Sequence, residues 1–123
     1  MISKICGIVV NHKLDPQGYY LVVPSYLSHY ERKLVRKCGE IVVQQKKVFL
    51  VDDWVSLAAE YAYSHSSEVR NGLRTVIFVD IGYSKCSFFV VEFTSSEPRL
   101  LDCEHMRYMG SKNIDHLLAE FYN

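Results

Sequence analysis

The sequence predicts a mixed α/β fold in which a β-α-β-α half is followed by a β-β-β-α half. An uninterrupted apolar run at 19–23 suits a strand that is buried on both faces. A helical segment then leads to a second short apolar run, which is the order of a parallel crossover. Beyond a polar stretch at 64–74, three apolar segments have connections too short for a crossover, so we expect antiparallel neighbours.

Composition narrows the functional classes. The 123 residues include 14 Lys plus Arg and 14 Asp plus Glu, so the formal net charge is zero, and 49% of the residues are hydrophobic. These values are typical of a globular protein and do not indicate nucleic acid as a partner. No apolar run approaches the roughly 20 residues that cross a bilayer. We therefore expect a cytoplasmic protein that binds neither nucleic acid nor a membrane.

The four cysteines are widely scattered and form no Cys-x-x-Cys pair, so we predict no directly coordinated metal. We interpret them as buried or half-buried thiols in a reducing compartment. Four of the five histidines fall on predicted polar faces or loops, where we expect contact with solvent: His29, His65, His105 and His116.

The first predicted helix begins with a capping box. Ser28 is followed three residues later by Glu31, a pattern in which each side chain binds the other residue's backbone N–H. We expect Gly39 to end this helix and Tyr30, Leu34 and Cys38 to form its apolar face. The opposite face is charged, and we interpret it as solvated rather than as a nucleic-acid surface: Glu31, Arg32, Lys33, Arg36 and Lys37.

The remaining elements follow in order. A short strand at 48–51 leads to a second helix that Asp52 or Asp53 can cap. Strands are predicted at 75–79, 86–93 and 99–105. The last helix carries a stripe that we expect to pack on the sheet: Ile114, Leu117, Leu118 and Phe121. Residues 1–11 are ambiguous, because helical spacing competes with strand-forming residues there.

The segment at 78–85 is the most informative for chemistry. Asp80 ends an apolar strand, and Gly82 begins a tight turn into the next one. A carboxylate at this place can orient a magnesium ion or its waters, and turn amides can face phosphate oxygens. The same Asp-x-Gly pattern is also that of an ordinary hairpin turn.

Five segments share the order and spacing of motifs in one family. They are Leu-Val-Val-Pro-Ser-Tyr at 21–26, the helix from Ser28, Ala-Ala-Glu-Tyr-Ala-Tyr at 58–63, Asp-Ile-Gly at 80–82 and Met-Gly-Ser-Lys-Asn-Ile-Asp at 109–115. Together they resemble the middle of the nucleotide-binding domain of the heat shock protein 70 superfamily. The resemblance covers nearly all of the chain, although each motif by itself is weak.

The resemblance implies part of an actin-like ATPase (ribonuclease H-like) fold. Residues 1–63 would belong to the first lobe, 64–74 to a hinge and 75–123 to the start of the second lobe, with a helix at 2–10. It also implies ATP or ADP with magnesium as the cofactor of the complete domain, with weak or no binding by this chain alone. Asp80 would then orient the water shell of the metal, and the phosphate-facing residues would be Gly82, Tyr83, Ser84 and Lys85.

Three departures from the family motif bear on activity. Tyr83 and Ser84 replace two glycines, and Lys85 replaces a threonine. Side chains then stand where bare backbone would approach phosphate. This variant resembles the heat shock protein 110 branch, whose members serve as nucleotide-exchange factors and holdases. We do not assign the acid of the family's Asn-Glu-Pro motif, because the register around Asp52 and Asp53 leaves it open.

We therefore expect a fragment of the ATP-binding domain of a stress-response chaperone or nucleotide-exchange factor. The first phosphate loop and the adenosine motif have no counterpart in this sequence, so we expect the chain alone to be inactive. We expect the parent protein to act with a heat shock protein 70 chaperone and its co-chaperones. We also expect this chain to associate with a second copy of itself, as a homodimer or as a domain-swapped assembly. The alternative is a non-catalytic protein-interaction module that kept the fold and lost nucleotide; a sugar or acetate kinase of the same superfold is a weaker third.

Overall fold

The computed structural model describes residues 18–43, 46–70, 72–94 and 97–122. The chain divides into two compact units, Met1–Ser56 and Leu57–Asn123. The ambiguous segment at 1–11, with the helix that the resemblance implies at 2–10, lies outside the described residues. Within them, no helix is both long and apolar enough to span a membrane.

The first unit contains a parallel strand pair. Strands β1 (Gly18–Val23) and β2 (Lys47–Asp52) pair in register from Gly18 with Lys47 to Val23 with Asp52, and helix α1 (His29–Val42) lies between them in the chain. The prediction of a parallel crossover is therefore confirmed. Helix α2 (Asp53–Ser64) starts directly after β2, and the division between the units falls inside it.

The expectation that β1 is buried on both faces is wrong for the described part of the chain. Val23 is buried, but Tyr20 is 73% exposed and Val22 is also exposed. Tyr20 instead stacks on Phe49 of β2, with 5.0 Å between the ring centroids. Apolar composition favoured a strand here, but it did not reveal which face the unit covers.

Helix α1 begins as predicted and ends later than predicted. The Glu31 N–H donates to Ser28 Oγ at 3.3 Å, and the Ser28 N–H donates to Glu31 Oε2 at 2.7 Å, which completes the capping box. Gly39 does not end the helix, which continues to Val42. Gly39 is buried against Val48, whose Cγ1 would lie 3.2 Å from a Cβ at position 39.

The apolar face expected for α1 is also wrong. Tyr30, Leu34 and Cys38 are all exposed. The buried positions lie along Gly39 and Val43. Because glycine has no side chain, the helix backbone can approach the strand closely at Gly39, and this contact sets which face points inward.

The second unit contains an antiparallel sheet, as predicted. Its strands β3 (Arg74–Ile81), β4 (Cys86–Phe93) and β5 (Pro98–Met106) lie in the order β3-β4-β5, with an irregularity in the β4–β5 register at Val90/Val91. A short helix, α3 (Ser66–Arg70), occupies part of the predicted hinge. Helix α4 (Ser111–Tyr122) closes the described chain.

One face of this sheet forms the core of the second unit. Phe89, Val91 and Phe93 of β4 are fully buried, and Tyr61 of α2 packs against the Phe93 and Phe78 rings at 5.1 and 5.8 Å. The apolar stripe of α4 does not pack as expected: its four side chains are exposed among the described residues, namely Ile114, Leu117, Leu118 and Phe121.

Candidate functional site

The candidate site lies at the hairpin turn between β3 and β4. Asp80 is the next-to-last residue of β3, and the Gly82 N–H donates to the Lys85 carbonyl at 2.9 Å to close the turn. Gly82 has no left-handed backbone, and a Cβ there would meet nothing nearer than the Lys85 carbonyl at 3.5 Å. The turn itself therefore does not require glycine at this position.

The N-terminus of α4 is fixed to this turn by backbone hydrogen bonds. The Ser111 N–H donates to the Gly82 carbonyl at 2.9 Å, and the Lys112 N–H donates to the Tyr83 carbonyl at 3.1 Å. The Gly110 N–H donates to Asn113 Oδ1 at 2.9 Å. These bonds satisfy amides that a helix start otherwise leaves without partners.

Gly110 makes this close approach possible. A Cβ on Gly110 would lie 2.6 Å from the carbonyl oxygens of Gly82 and Tyr83 and 2.7 Å from the Ser84 nitrogen. All three atoms belong to the backbone, so none can turn aside as a side chain would. The sequence resemblance places Gly110 in a motif of its own, but only the structure shows that this motif contacts the Asp-Ile-Gly turn.

A row of polar side chains crosses the sheet beside the turn. Asp80 on β3 pairs with Ser87 on β4, and Ser87 pairs with His105 on β5. Residues directly opposite in antiparallel strands share a face, so the three side chains lie on the same side. Ser87 Oγ lies 3.1 Å from His105 Nδ1, and Lys85 Nζ donates to Ser87 Oγ at 3.5 Å.

Lys85 also pairs with Asp80. Its Nζ lies 3.8 Å from Asp80 Oδ2, and the two side chains are 22% and 38% exposed. The lysine therefore bridges the half-exposed carboxylate and the fully buried Ser87 hydroxyl. This arrangement holds a positive charge next to the carboxylate that the resemblance assigns to the metal's water shell.

The structure separates the predicted site residues into two groups. Asp80 and Lys85 form an ion pair, whereas Tyr83 and Ser84 have exposed side chains at the tip of the turn. Sequence reasoning missed Ser87 and assigned His105 to solvent. His105 is in fact half-buried, contacts Ser87 and packs edge-on against Phe89. The two-residue period of any β-strand was the available signal, since it places Ser87 on the face of Phe89, Val91 and Phe93.

Two acids at the end of β2 were candidates for the family's Asn-Glu-Pro acid. Asp53 is buried and accepts from the Ser25 and Trp54 N–H groups, each at 3.1 Å. Asp52 pairs with Arg32, with 2.5 Å between Oδ1 and Nη1. Both acids are therefore engaged in fixing the chain around them.

No group of three or more His, Cys, Asp or Glu side chains able to hold a metal occurs in the described ranges. A comparison of the chain with models of known protein families finds none that matches. The functional assignment therefore depends on the motifs of the sequence and on the geometry of the Asp80 turn.

Proposed function

We propose that the chain is part of the ATP-binding domain of a divergent heat shock protein 70 relative, closest to the 110 branch, with part of an actin-like ATPase fold. One observation carries the proposal. The Asp-Ile-Gly motif at 80–82 and the Met-Gly-Ser motif at 109–111 are far apart in the sequence, yet Gly110 packs directly on the backbone of the Asp80 turn. Two motifs of one nucleotide site are expected to meet in this way.

The residues at the turn fit a magnesium nucleotide in part. Asp80 has a half-exposed carboxylate that can hold waters around magnesium, an ion that usually keeps several of them. Magnesium bound with ATP would neutralise phosphate charge. The Gly82 N–H already donates to the Lys85 carbonyl. Tyr83, Ser84 and the Lys85 ammonium are therefore left as the phosphate-facing groups.

Nucleotide binding without efficient hydrolysis is the activity we propose. Lys85 is a point charge that can contact phosphate, but here it also neutralises Asp80. The first-turn amides of Ser111 and Lys112 are occupied by turn carbonyls and do not offer a phosphate site. For the whole protein, we propose cytoplasmic action beside a heat shock protein 70 chaperone and its co-chaperones.

A non-catalytic interaction module is the second candidate. The Lys85–Asp80 ion pair favours it, because it satisfies the carboxylate without a metal. Tyr83 favours it too: the ring is 72% exposed at the tip of the turn, where a partner protein can contact it.

Calorimetry with ATP separates the two candidates. We expect the 123-residue chain to give weak, saturable heat with ATP, and we expect the magnesium-dependent part of that heat to disappear in Asp80→Asn. Asp115→Asn, which removes the same charge from an exposed position on α4, should leave it unchanged. Lys85→Thr removes a phosphate contact but frees Asp80, so the remaining heat should depend more strongly on magnesium.

Absence of magnesium-dependent heat in both the wild-type chain and Lys85→Thr would contradict the nucleotide proposal and favour the interaction module. Magnesium-dependent heat that persists in Asp80→Asn would show that the magnesium nucleotide binds elsewhere on the chain.

We also propose self-association with a second copy of this chain. In β3, an edge strand of the described sheet, Ile77, Val79 and Ile81 expose more than half of their surfaces. Exposed apolar edge strands favour pairing between chains. Sedimentation should show a dimer or larger species at high concentration, and a monomer at all concentrations would contradict this proposal.

A further inference from the structure

Helix α1 presents a basic stripe to a cavity. His29, Arg32, Lys33 and Arg36 follow the i, i+3, i+4, i+7 spacing that places residues on one face of a helix. Together with Leu50 of β2 they line a cavity of about 380 Å³. The solvated face of a helix has the same spacing, but here Arg32, Lys33 and Arg36 of that face bring positive charge to the lining of a cavity.

The Arg32 side chain lines this cavity and is held in place by its own hydrogen bonds. Its Nε donates to the Leu27 carbonyl at 3.0 Å and its Nη2 to the Ser25 carbonyl at 2.9 Å, while Nη1 pairs with Asp52. All three nitrogens of the guanidinium are thus committed to the protein. Arg32 holds the shape of the cavity, and Asp52 balances its charge.

Lys33 and Arg36 supply positive charge that the described residues do not balance. No ion pair joins either of them to an acid there, and Glu40, four residues beyond Arg36, does not pair with it. The nearby Glu31 carboxylate is used in the capping box with Ser28. Like charges three and four residues apart on a helix repel each other, so a bound anion would stabilise this face.

We propose that this cavity binds a diphosphate group, either as inorganic pyrophosphate or as part of a phosphorylated metabolite. Its volume lies within the range of small-molecule sites. An arginine offers a fork of donors for phosphate oxygens and a lysine offers a point charge. Leu50 provides an apolar surface for an organic moiety. The site lies in Met1–Ser56, is separate from Asp80, and goes beyond the proposed function.

Calorimetric titration with pyrophosphate at constant ionic strength tests this site. We expect saturable binding to the 123-residue chain, weakened about tenfold or more in Lys33→Gln/Arg36→Gln because two charge-assisted contacts are lost. The matched control is Lys37→Gln/Lys47→Gln, which removes the same charge from exposed residues outside the cavity. It should change the affinity by less than about twofold, since screened charges act weakly.

Two results would overturn the proposal: no saturable heat with pyrophosphate, or equal weakening in the two double variants. Far-UV circular dichroism checks that each variant is folded, and Lys33→Gln alone provides a milder variant that should still weaken binding.

A second titration with ADP, in the Asp80→Asn background, identifies the source of the diphosphate. Tighter binding of ADP than of pyrophosphate indicates an organic phosphate, and equal or weaker binding indicates the inorganic ion.

The same variants distinguish binding at the cavity from binding at the Asp80 turn. Asp80→Asn should leave pyrophosphate binding unchanged. If ATP binding survives Asp80→Asn but is lost in Lys33→Gln/Arg36→Gln, the proposal for the Asp80 turn is wrong and the cavity stands. If pyrophosphate does not bind while ATP heat depends on Asp80, the cavity proposal is wrong.

Discussion

The two units each contain a turn that directly follows a strand, and the two turns are held in different ways. The turn after β1, at 24–27, is fixed by charged side chains: Arg32 binds two of its carbonyls and Asp53 binds the Ser25 N–H. The turn after β3, at 82–85, is fixed by backbone hydrogen bonds from α4 and by the close approach of Gly110.

The two turns should therefore respond differently to mutation. A turn held by side chains loses hydrogen bonds when one side chain is shortened, but water can replace part of what is lost at a half-exposed site. A turn held against bare backbone has no adjustable atom, so a single added carbon must displace a whole segment. We therefore expect the second turn to be the more sensitive to mutation.

Gly110→Ala should have the largest effect. The new Cβ would lie 2.6 Å from two carbonyl oxygens, so α4 or the turn has to move. We expect a loss of about 3 kcal/mol in the free energy of unfolding, at the upper end for overpacking. Urea denaturation followed by circular dichroism measures it.

Gly82→Ala is the control for this prediction. Its Cβ would make only an ordinary contact at 3.5 Å, so the free energy should fall by less than about 1 kcal/mol. Equal losses in the two variants would show that the Gly110 contact is not what fixes the turn.

Arg32→Met should have a smaller effect on the first turn. The substitution keeps much of the apolar stem but removes the donors to Ser25 and Leu27 and the partner of Asp52. We expect a loss of about 2 kcal/mol, since these bonds involve a charged group that is partly exposed. The urea midpoint and the amide resonances of residues 25–27 report it.

Lys37→Met on the exposed side of α1 should change stability by less than about 0.5 kcal/mol. A loss for Arg32→Met as small as this would mean that the turn after β1 does not depend on its side-chain bonds.

Gly39→Ala should have the smallest effect on stability. It tests a glycine that lies against a side chain, whereas Gly110 lies against backbone. Its Cβ would lie 3.2 Å from Val48 Cγ1, a side-chain atom that can shift. Alanine also favours the helix by about 0.5–1 kcal/mol over glycine. The two effects oppose each other, so stability should change by less than about 0.5 kcal/mol.

A double-mutant cycle with Val48→Ala tests this explanation, because removing the valine methyl groups leaves only the favourable effect. Gly39→Ala should then be stabilising in the Val48→Ala background. Additive effects in the cycle would contradict the proposed contact between the two residues.

Much of the fold was predictable because its signals are local. The capping box at Ser28, the bounds of β4 and the antiparallel order of the last three strands were each predicted and are confirmed. The candidate site was predictable only in part. Asp80 and Lys85 stand out in the sequence, whereas Ser87 and His105 become a pair only through cross-strand register.

The kind and order of the elements follow from local sequence, because capping, periodicity and short connections act over a few neighbouring residues. Which faces are covered and which polar groups meet depends on tertiary packing. Gly39 lies inside a helix and packs against Val48. Gly110 contacts the Asp80 turn from 28 positions away, counted from Gly82. Such contacts depend on partners distant in the chain, and local pattern does not encode their distances.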